Sequence, residues 1–501
     1  MALVAVVLIA SAGVRLWHLS TPPGHMFDEV YYAKDAKAVA DGRVQPKQPY
    51  PWMAGDEVSW PHPELGKWAI AAGILLFGDR SFGWRIPAVV AGMVLLACVY
   101  PIARRLGLSP PWAFLALLFA AADPLGMAQS RIATLDIFVA LWTVLCVYLA
   151  LRYVQSEGRL VWLFACGAAG GVALSTKWSG ALALVAAGCI ILVAWLWRRR
   201  AGAADEGDPA APAAPVAAAL TTASEPASPA AARPRGAARA LALVLAALIV
   251  VPAVIYLLGY AQYFAAGHTL ADWRELQRQM YVFNLNLDAT HSYASTAPTW
   301  IFVYRPVWYY FNDAGGMYRG VVAIGNPFLW WLSAAALVAA PALALARRSA
   351  LLLPPAALVA VLYFPWFLAS RTSFLYYMTP VAPFLAILVA AAAAYLAGGR
   401  RVSRRAWLTV AGAAFATAVV WEPVVRAVLA LGWASLAPAL PAALALAAVL
   451  LLPRLRALRP WATMALAGAV VGIVVAFIPV VLATPISPEH FSHITWFTSW
   501  I

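Results

Sequence analysis

Charged residues are scarce in this chain. Only 11% of its 501 residues are Asp, Glu, Lys or Arg, whereas 64% are hydrophobic. A typical soluble domain has about 25% charged residues, so this composition excludes an ordinary soluble protein. Apolar runs of about 17–25 residues, long enough to cross a bilayer, recur along nearly the whole sequence. The sequence therefore predicts an all-α polytopic membrane protein.

The motifs of several enzyme classes are also absent from the sequence. It contains no P-loop, no Cys-x-x-Cys pair, no His-Glu-x-x-His and no glycine-rich dinucleotide turn. Nucleotide chemistry and zinc hydrolysis are therefore unsupported. The histidines lack metal-ligand spacing and are interpreted as surface residues, so we expect no metal site. The cysteines fall within predicted spans and are interpreted as small packing residues: Cys98, Cys146, Cys166 and Cys189.

Lysine is rare, and 30 of the 35 basic residues are arginine. Arginine clusters lie in short loops between apolar spans, which is typical of topology determinants and argues against nucleic-acid binding. By the positive-inside rule these clusters are cytoplasmic. They comprise Arg104 and Arg105, Arg198 to Arg200, Arg347 and Arg348, Arg400 and Arg401, Arg404 and Arg405, and Arg454, Arg456 and Arg459. All the lysines and histidines then fall on or near the extracytoplasmic side.

About 11–13 transmembrane helices are predicted. The first, at 1–17, is interpreted as a membrane helix rather than a signal peptide because it lacks a basic n-region. We expect an N-terminal catalytic module at 1–200, a disordered cytoplasmic Ala/Pro tract at 201–239 and a C-terminal module at 240–501. The other spans are placed near 84–103, 111–128, 134–151, 160–176, 179–197, 240–263, 321–345, 351–368, 374–397, 406–421, 434–453 and 461–483.

Two long loops fall on the extracytoplasmic side. Loop 18–83 is too long for a simple connection, and it contains the segments 27–32 (Phe-Asp-Glu-Val-Tyr-Tyr) and 62–67 (His-Pro-Glu-Leu-Gly-Lys). Loop 265–320 is dense in Trp and Tyr, which fits either an interfacial aromatic belt or a surface for sugars and peptides. Charge at a membrane boundary is costly and is usually functional. The extracytoplasmic face is therefore the predicted place of the chemistry.

Asp28 and Glu29 directly follow the first span and lie among aromatic residues. A carboxylate at such an apolar boundary can have a raised pKa and act as a base. Asp28 is the candidate base, and we expect Glu29 to support it or to orient the acceptor. The other acidic residues of this loop are interpreted as solvated surface charges: Asp35, Asp41, Asp56 and Glu57.

Basic residues outside several spans are suited to an anionic ligand such as a lipid phosphate. Lys67 and Arg371 are two of these. Arg131 is a third, although it could instead pair with Asp136, five residues further on. Lys177 lies in a polar turn, where it could simply extend to the interface.

These segments together resemble the protein O-mannosyltransferase family, which has the C-type glycosyltransferase fold. The resemblance covers nearly the whole chain outside 201–239. The large lumenal β-trefoil insertion of eukaryotic members has no room here, and Tyr376-Tyr377 replaces their usual His-Tyr, as in the bacterial, especially actinobacterial, branch. The matching segments are 27–32, 62–67, 130–136 (Ser-Arg-Ile-Ala-Thr-Leu-Asp), 175–180 (Ser-Thr-Lys-Trp-Ser-Gly), 305–310 (Arg-Pro-Val-Trp-Tyr-Tyr) and 371–380 (Arg-Thr-Ser-Phe-Leu-Tyr-Tyr-Met-Thr-Pro).

The resemblance implies transfer of mannose from polyprenyl-phosphate mannose to Ser or Thr hydroxyls of exported polypeptides. Asp28 would be the base of one inverting displacement, with no cofactor and no metal. The donor phosphate would be bound by Arg131, Lys177, Arg371 and Lys67. The candidate acceptor- or sugar-binding residues are His62, Trp178, Arg305, Tyr309, Tyr376 and Tyr377.

The same resemblance implies a multi-pass enzyme in the plasma membrane, in contact with membrane lipid, with its active site on the extracytoplasmic face. The secretion translocon is a further candidate partner. Three alternatives stay open. One is a related transferase acting on a lipid or glycan, as aminoarabinose transferases do. Another is a transporter or flippase, disfavoured because the charges cluster at external ends and no internal repeat is detected. The last is a non-enzymatic scaffold for the secretion machinery.

Overall fold

The computed structural model consists mainly of apolar helices. Six of those described are long and apolar enough to cross a membrane, and six shorter apolar helices have 10–17 residues. The predicted helical multi-pass architecture is confirmed. The predicted span 434–453, the two acidic residues Asp56 and Glu57, and most of the tract 201–239 lie outside the described residues. The structure describes residues 1–43, 60–156, 158–204, 237–287, 290–346, 349–398, 402–430 and 457–501.

The N-terminal part of the chain is built around one long helix, α4 (Ser81–Arg105), which contacts α1, α3, α5 and α7. The helices α2 and α3, which pack against each other, come from the predicted first loop, and the apolar run at 111–128 breaks into α5 and α6. The other helices in this part are α1 (Ala2–Leu16), α2 (Glu29–Ala40), α3 (Leu65–Phe77), α5 (Pro110–Ala121), α6 (Pro124–Gln129), α7 (Leu135–Val154), α8 (Leu160–Leu174) and α9 (Ala181–Ala204).

The C-terminal part begins with α10 (Ala237–Leu245) and α11 (Val251–Leu258), which a π-helical turn joins into one span. A capping box, in which Thr269 and Asp272 bond each other's backbone N–H, starts the loop helix α13. The remaining helices are α12 (Ala261–Ala265), α13 (Leu270–Asn286), α14 (Ala297–Trp300), α15 (Pro327–Leu345), α16 (Leu353–Tyr363), α17 (Ala382–Leu396), α18 (Arg404–Ala430), α19 (Arg459–Gly472), α20 (Val474–Phe477), α21 (Pro479–Leu482) and α22 (Pro488–Ile494).

A β-hairpin is the main departure from the expected helical pattern. Its strands β1 (Val307–Ala314) and β2 (Met317–Ala323) are antiparallel, and the two glycines between them have φ of 65° and 81°. Gly-Gly suits a two-residue hairpin turn, which needs positive φ. The predicted start of a span at 321 is therefore wrong. The predicted start at 374 is also wrong, because a 3₁₀ segment and a turn precede α17.

One close contact brings α3, which belongs to the predicted first loop, against α7 and the turn at 175–180. A Cβ atom on Gly66 would lie 2.6 Å from Leu135 Cδ2 and 2.9 Å from Thr176 Cγ2. Glycine therefore lets α3 approach α7 and the turn at 175–180, where Leu65 N donates to Ser175 O at 3.0 Å. Loops of this kind meet at one end of the helix bundle, and we call this end the loop face. Its segments are 17–28, 60–64, 130–134, 175–180 and 369–381.

Candidate functional site

Asp28 lies on the loop face, directly before α2 and outside the membrane spans. Its side chain is half-buried, and no hydrogen bond reaches its carboxylate from the described part of the chain. Burial raises the pKa of this carboxyl to about 7, with Lys177 lowering it and Asp136 raising it to smaller extents. A carboxyl that titrates near neutrality can accept a proton from a hydroxyl at physiological pH.

Glu29 has entirely different surroundings. It is fully buried, and its Oε1 accepts from Arg85 Nε at 2.8 Å and from Ala133 N at 3.0 Å. Its Oε2 accepts from Arg85 Nη2 at 2.8 Å and from Met26 N at 3.0 Å. Both oxygens are thus engaged inside the protein. Of the two roles expected for Glu29, the geometry favours support of Asp28 over contact with an acceptor.

Arg85 is the residue of this centre that the sequence did not reveal. It lies near the start of α4 and is fully buried. Besides Glu29, its guanidinium donates to the carbonyls of Leu19, Pro22 and Gly24 at 2.8–3.1 Å. The signal that was missed is an arginine at the edge of an apolar run, which usually has a buried partner. Arg85 and Glu29 together fix the loop that presents Asp28.

Arg131 is also committed to this loop. It is 2% exposed, and its Nη atoms donate at 2.6–3.2 Å to four carbonyls at the end of α1. Those carbonyls belong to Val14, Arg15, Trp17 and His18. The alternative pairing of Arg131 with Asp136 is wrong, because Asp136 accepts from Lys177 instead. The guanidinium anchors the chain that leads to Asp28.

Lys177 faces the site from the turn between α8 and α9. Its Nζ donates to Asp136 Oδ1 at 3.0 Å and Oδ2 at 3.2 Å. The same ammonium lies 4.4 Å from the ring centre of Tyr377 and 6.0 Å from that of Tyr376. A salt bridge and an aromatic face therefore hold this cation in place while it remains at the edge of a groove.

Lys67 is enclosed beneath the loop face. It is fully buried and bridges Asp35 Oδ2 at 3.2 Å and Glu64 Oε1 at 3.1 Å. The interpretation of Asp35 as a surface charge is wrong, since it is 2% exposed. Asp41 is exposed and pairs with Lys37, so the surface interpretation is confirmed there. Lys67 joins α2 to α3 and is not directed at open space.

A groove of about 390 Å³ opens beside Lys177. Its polar wall contains His62, Arg371 and Tyr377. Burial holds the pKa of His62 well below its usual range, and the nearby cations lower it further, so the imidazole is neutral at pH 7. The apolar wall consists of Trp366, Leu182, Pro365, Leu368 and Ala369. A groove that is cationic at one end and apolar along its side suits an anionic lipid head group with its chain.

Arg371 and Trp178 both line this groove and are both linked to α13. Arg371 is half-buried and its Nη1 donates to Asn284 Oδ1 on α13. Trp178 lines the groove, and its indole N–H donates to Tyr256 Oη at 2.8 Å. Tyr256 in turn donates to Gln277 Oε1 on α13 at 2.6 Å. Loop helix α13 therefore forms one side of the site through both contacts.

Aromatic rings also lie around Asp28. The ring of Phe27, a residue with a left-handed φ of 49°, lies 4.7 Å from Tyr309 and 5.8 Å from Tyr376. Gln129 Nε2 donates to Tyr309 Oη at 2.8 Å. Burial, followed by the charge of Asp28, holds the pKa of the Tyr376 phenol well above its usual range. The left-handed φ of Phe27 is a strained backbone conformation, and such strain is common at functional sites.

The remaining predicted residues are placed as follows. Arg305 is half-buried and lies just before β1. It is near Tyr293, where burial raises the pKa of the phenol and the charge of Arg305 lowers it to a smaller extent. His268 and His493 are buried, so the surface interpretation is wrong for them. Within the described ranges, no three His, Cys, Asp or Glu side chains converge as metal ligands. The residues that come together around Asp28 and the groove are His62, Asp136, Lys177, Tyr309, Arg371, Tyr376 and Tyr377.

Two family models match this chain. One describes dolichyl-phosphate-mannose-protein mannosyltransferases and matches residues 61–203. The other describes the C-terminal four-transmembrane region of protein O-mannosyltransferases and matches residues 269–353. The two matches include the segments 62–67, 130–136, 175–180 and 305–310, and thus His62 and Lys177 of the groove.

This chain is also similar to individual proteins in sequence and in fold. The polyprenol-phosphate-mannose–protein mannosyltransferase of Corynebacterium glutamicum is 25% identical over 460 residues, covering 79% of this chain and 82% of that protein. An undecaprenyl-phosphate aminoarabinose transferase of Pseudomonas aeruginosa is 32% identical, but over only 34% of this chain and 31% of that protein. The fold is similar to the S. cerevisiae protein O-mannosyltransferase Pmt1–Pmt2 complex bound to its sugar donor. The TM-score is 0.68 at 14% identity, with 100% of this chain and 92% of that chain covered.

Proposed function

Because the chain belongs to the protein O-mannosyltransferase family, we propose that it transfers mannose from polyprenyl-phosphate mannose to Ser or Thr hydroxyls of polypeptides. It is a multi-pass membrane glycosyltransferase. The observation that carries the proposal is the Asp28 carboxyl, which has no hydrogen bond in the described structure, titrates near pH 7, and lies close to the Lys177 cation.

Asp28 is the proposed general base of a single displacement. The acceptor oxygen attacks the anomeric carbon of mannose while Asp28 takes its proton. The bond between that carbon and the phosphate oxygen breaks, and polyprenyl phosphate leaves with the bonding electron pair. Because the attack and the departure occur on opposite faces of the sugar, the anomeric configuration inverts.

Lys177 and Arg371 are the proposed cations for the departing phosphate. Negative charge grows on that group as the bond breaks, and preorganised cations stabilise it most in a water-poor site. Both line the groove, and Asp136 holds Lys177 in place. The apolar wall of the groove would take the first isoprene units of the donor, which brings the lipid phosphate to Lys177 from the membrane side.

Two cations expected to bind the donor phosphate receive different roles in this proposal. Arg131 positions Asp28 by holding the end of α1, and Lys67 positions His62 by joining α2 to the start of α3. His62, Tyr309, Tyr376 and Tyr377 remain the proposed sugar contacts, as neutral or aromatic groups suited to hydroxyl-bearing rings. Trp178 and Arg305 stay as proposed acceptor contacts at the edges of the site.

The cellular setting belongs to the same proposal. The arginine clusters support a plasma-membrane protein whose loop face is extracytoplasmic. Exported polypeptides would meet the site there, with the secretion translocon as a possible source of unfolded acceptors. We propose that no cofactor takes part, since base and leaving-group stabilisation both come from side chains of the chain itself.

A lipid-acceptor transferase is the second candidate, supported by the partial similarity to the aminoarabinose transferase. The donors of both reactions carry a prenyl phosphate, so the cation-lined groove fits either. The long match to the mannosyltransferase of C. glutamicum favours mannose and a protein acceptor. The shorter match covers about a third of each chain.

The test is transfer by the purified chain in liposomes. Radiolabelled polyprenyl-phosphate mannose is offered with a Thr-containing peptide and, separately, with a lipid A acceptor. We expect mannosyl-peptide with inverted anomeric configuration and no labelled lipid A. Labelled lipid A without mannosyl-peptide would overturn the protein acceptor, and retained configuration would overturn the single displacement.

A further inference from the structure

The β-hairpin beside the site has one occupied edge and one open edge. On β2, Tyr318 exchanges two backbone hydrogen bonds with Ile486, both at 2.8 Å. On β1, the described residues provide no strand partner other than β2. Phe311, 46% exposed, and the exposed Asp313 lie on this open part of β1.

The register shows which backbone groups point outward. Tyr318 is directly opposite Asp313, and Gly320 is opposite Phe311. Because both the N–H and the C=O of Tyr318 bond Ile486, they point away from β1. Directly opposed residues of an antiparallel pair share the same orientation, so the N–H and C=O of Asp313 and Phe311 point away from β2. These groups form an open backbone edge.

The open edge leads directly to the proposed catalytic base. A strand rises about 3.4 Å per residue, so Phe311 is roughly 7 Å from Tyr309 along β1. Tyr309 is at the bulge in the hairpin, and its ring lies 4.7 Å from the ring of Phe27, which precedes Asp28. A peptide residue two or three positions from the one paired with Phe311 would thus lie beside Tyr309, next to the segment that carries Asp28.

Apart from the bulge at Tyr309, the edge has few of the features that protect free strands. Proteins usually blunt exposed edges with lysine, proline or a covering element. Segment 307–314 has neither lysine nor proline, and Asp313 alone carries charge. An unprotected edge that ends at a catalytic site is suited to an extended polypeptide, because strand addition satisfies the backbone groups of both partners.

We infer that the outer edge of β1 binds the acceptor polypeptide as an added strand and delivers its Ser or Thr to Asp28. The inference rests on the proposed function. Main-chain hydrogen bonds give affinity without reading sequence. The acceptors are therefore extended, unfolded segments of varied sequence, and a hydroxyl within a helix or a folded domain is a poor substrate.

The test compares Phe311→Pro with Phe311→Ala. Both remove the ring, but only proline removes the outward N–H, which the ladder to β2 does not use. The assay measures mannose transfer to a ten-residue Thr peptide and to a capped single threonine, too short to reach Phe311. We expect Phe311→Pro to lower kcat/KM for the peptide about three- to tenfold below Phe311→Ala, the effect of one lost hydrogen bond. The two variants should be equal with capped threonine.

A second measurement leaves the enzyme unaltered. Peptides N-methylated at single positions are offered to the wild-type chain, and we expect an alternating pattern of loss along the peptide. Equal kcat/KM for the two variants with the peptide, or a methylation scan without alternation, would overturn the added strand. If the wild-type chain forms a dimer and Phe311→Pro dissociates that dimer, the edge binds a second copy of the chain, and the added acceptor strand is overturned as well. Absence of transfer by the wild-type chain to any acceptor would overturn the proposed function itself.

Discussion

At the scale of single residues, the Asp28 carboxyl combines partial burial with a lack of hydrogen-bond donors in the described structure. Its neighbour Glu29 has four such donors and is fully engaged with Arg85 and two backbone amides. A buried carboxylate whose two oxygens are both engaged inside the protein is not free to take a proton from an acceptor hydroxyl. The difference between the two follows from the direction of each side chain at the start of α2.

The raised pKa of Asp28 predicts how activity depends on pH. The base must be ionised, so kcat/KM should rise about tenfold per pH unit below pH 7 and level off above it. Folding raises this pKa, so the folded state binds the proton more tightly, and ionisation destabilises the protein as pH rises from about 4 through 7. Steady-state transfer between pH 5 and pH 9 checks the profile, and a flat profile across pH 7 would argue against Asp28.

Removing the charge of Lys177 should slow the chemical step. We expect Lys177→Met to reduce kcat by roughly 10²–10³-fold, the usual cost of losing one charge-stabilising group. Lys37→Met is the control, because Lys37 is a lysine of α2 that pairs with the exposed Asp41. Since Lys177→Met leaves Asp136 buried without its cation, the double variant with Asp136→Asn separates folding from catalysis. Normal turnover by a folded double variant would contradict the role of Lys177.

At the scale of elements, short helices and turns rather than long spans build the site. The apolar runs predicted the helical multi-pass architecture, because hydrophobic length determines membrane crossing, but they misplaced the starts at 321 and 374. The sequence did not predict α13 as a helix, the hairpin, or the 3₁₀ turn at Leu375–Met378. Their residues are mixed aromatic and polar, and tertiary contacts with the loop face decide their conformation.

The contact of α3 with α7 predicts a sensitive glycine. Gly66→Val should destabilise the protein by about 1–3 kcal/mol, because Leu135 and Thr176 occupy the space that the new side chain needs. The matched control is Gly188→Val on α9, where a Cβ has no neighbour within 4 Å. Thermal unfolding in detergent with both variants measures the difference. Equal midpoints would show that the close approach at Gly66 is not required.

At the scale of the whole molecule, the candidate site lies at one end of an apolar bundle. The sequence predicted this end from charge asymmetry, and it predicted Asp28, Lys177 and Arg371 as site residues, which the structure brings together there. It could not distinguish cations that face the groove from those used internally. Arg131 and Lys67 are basic residues at or beneath the same loop face as Lys177, and only their partners in three dimensions separate them.

The most direct measurement is mannose transfer to a Thr peptide by the wild type, Asp28→Asn and Asp41→Asn. The last is the control, since Asp41 lies on the same loop but is exposed and paired with Lys37. Loss of a general base usually costs about 10²–10⁴-fold, so Asp28→Asn should lose that much turnover while donor binding is unchanged and the unfolding temperature does not fall. Asp41→Asn should match the wild type. Full turnover by a folded Asp28→Asn would contradict the account.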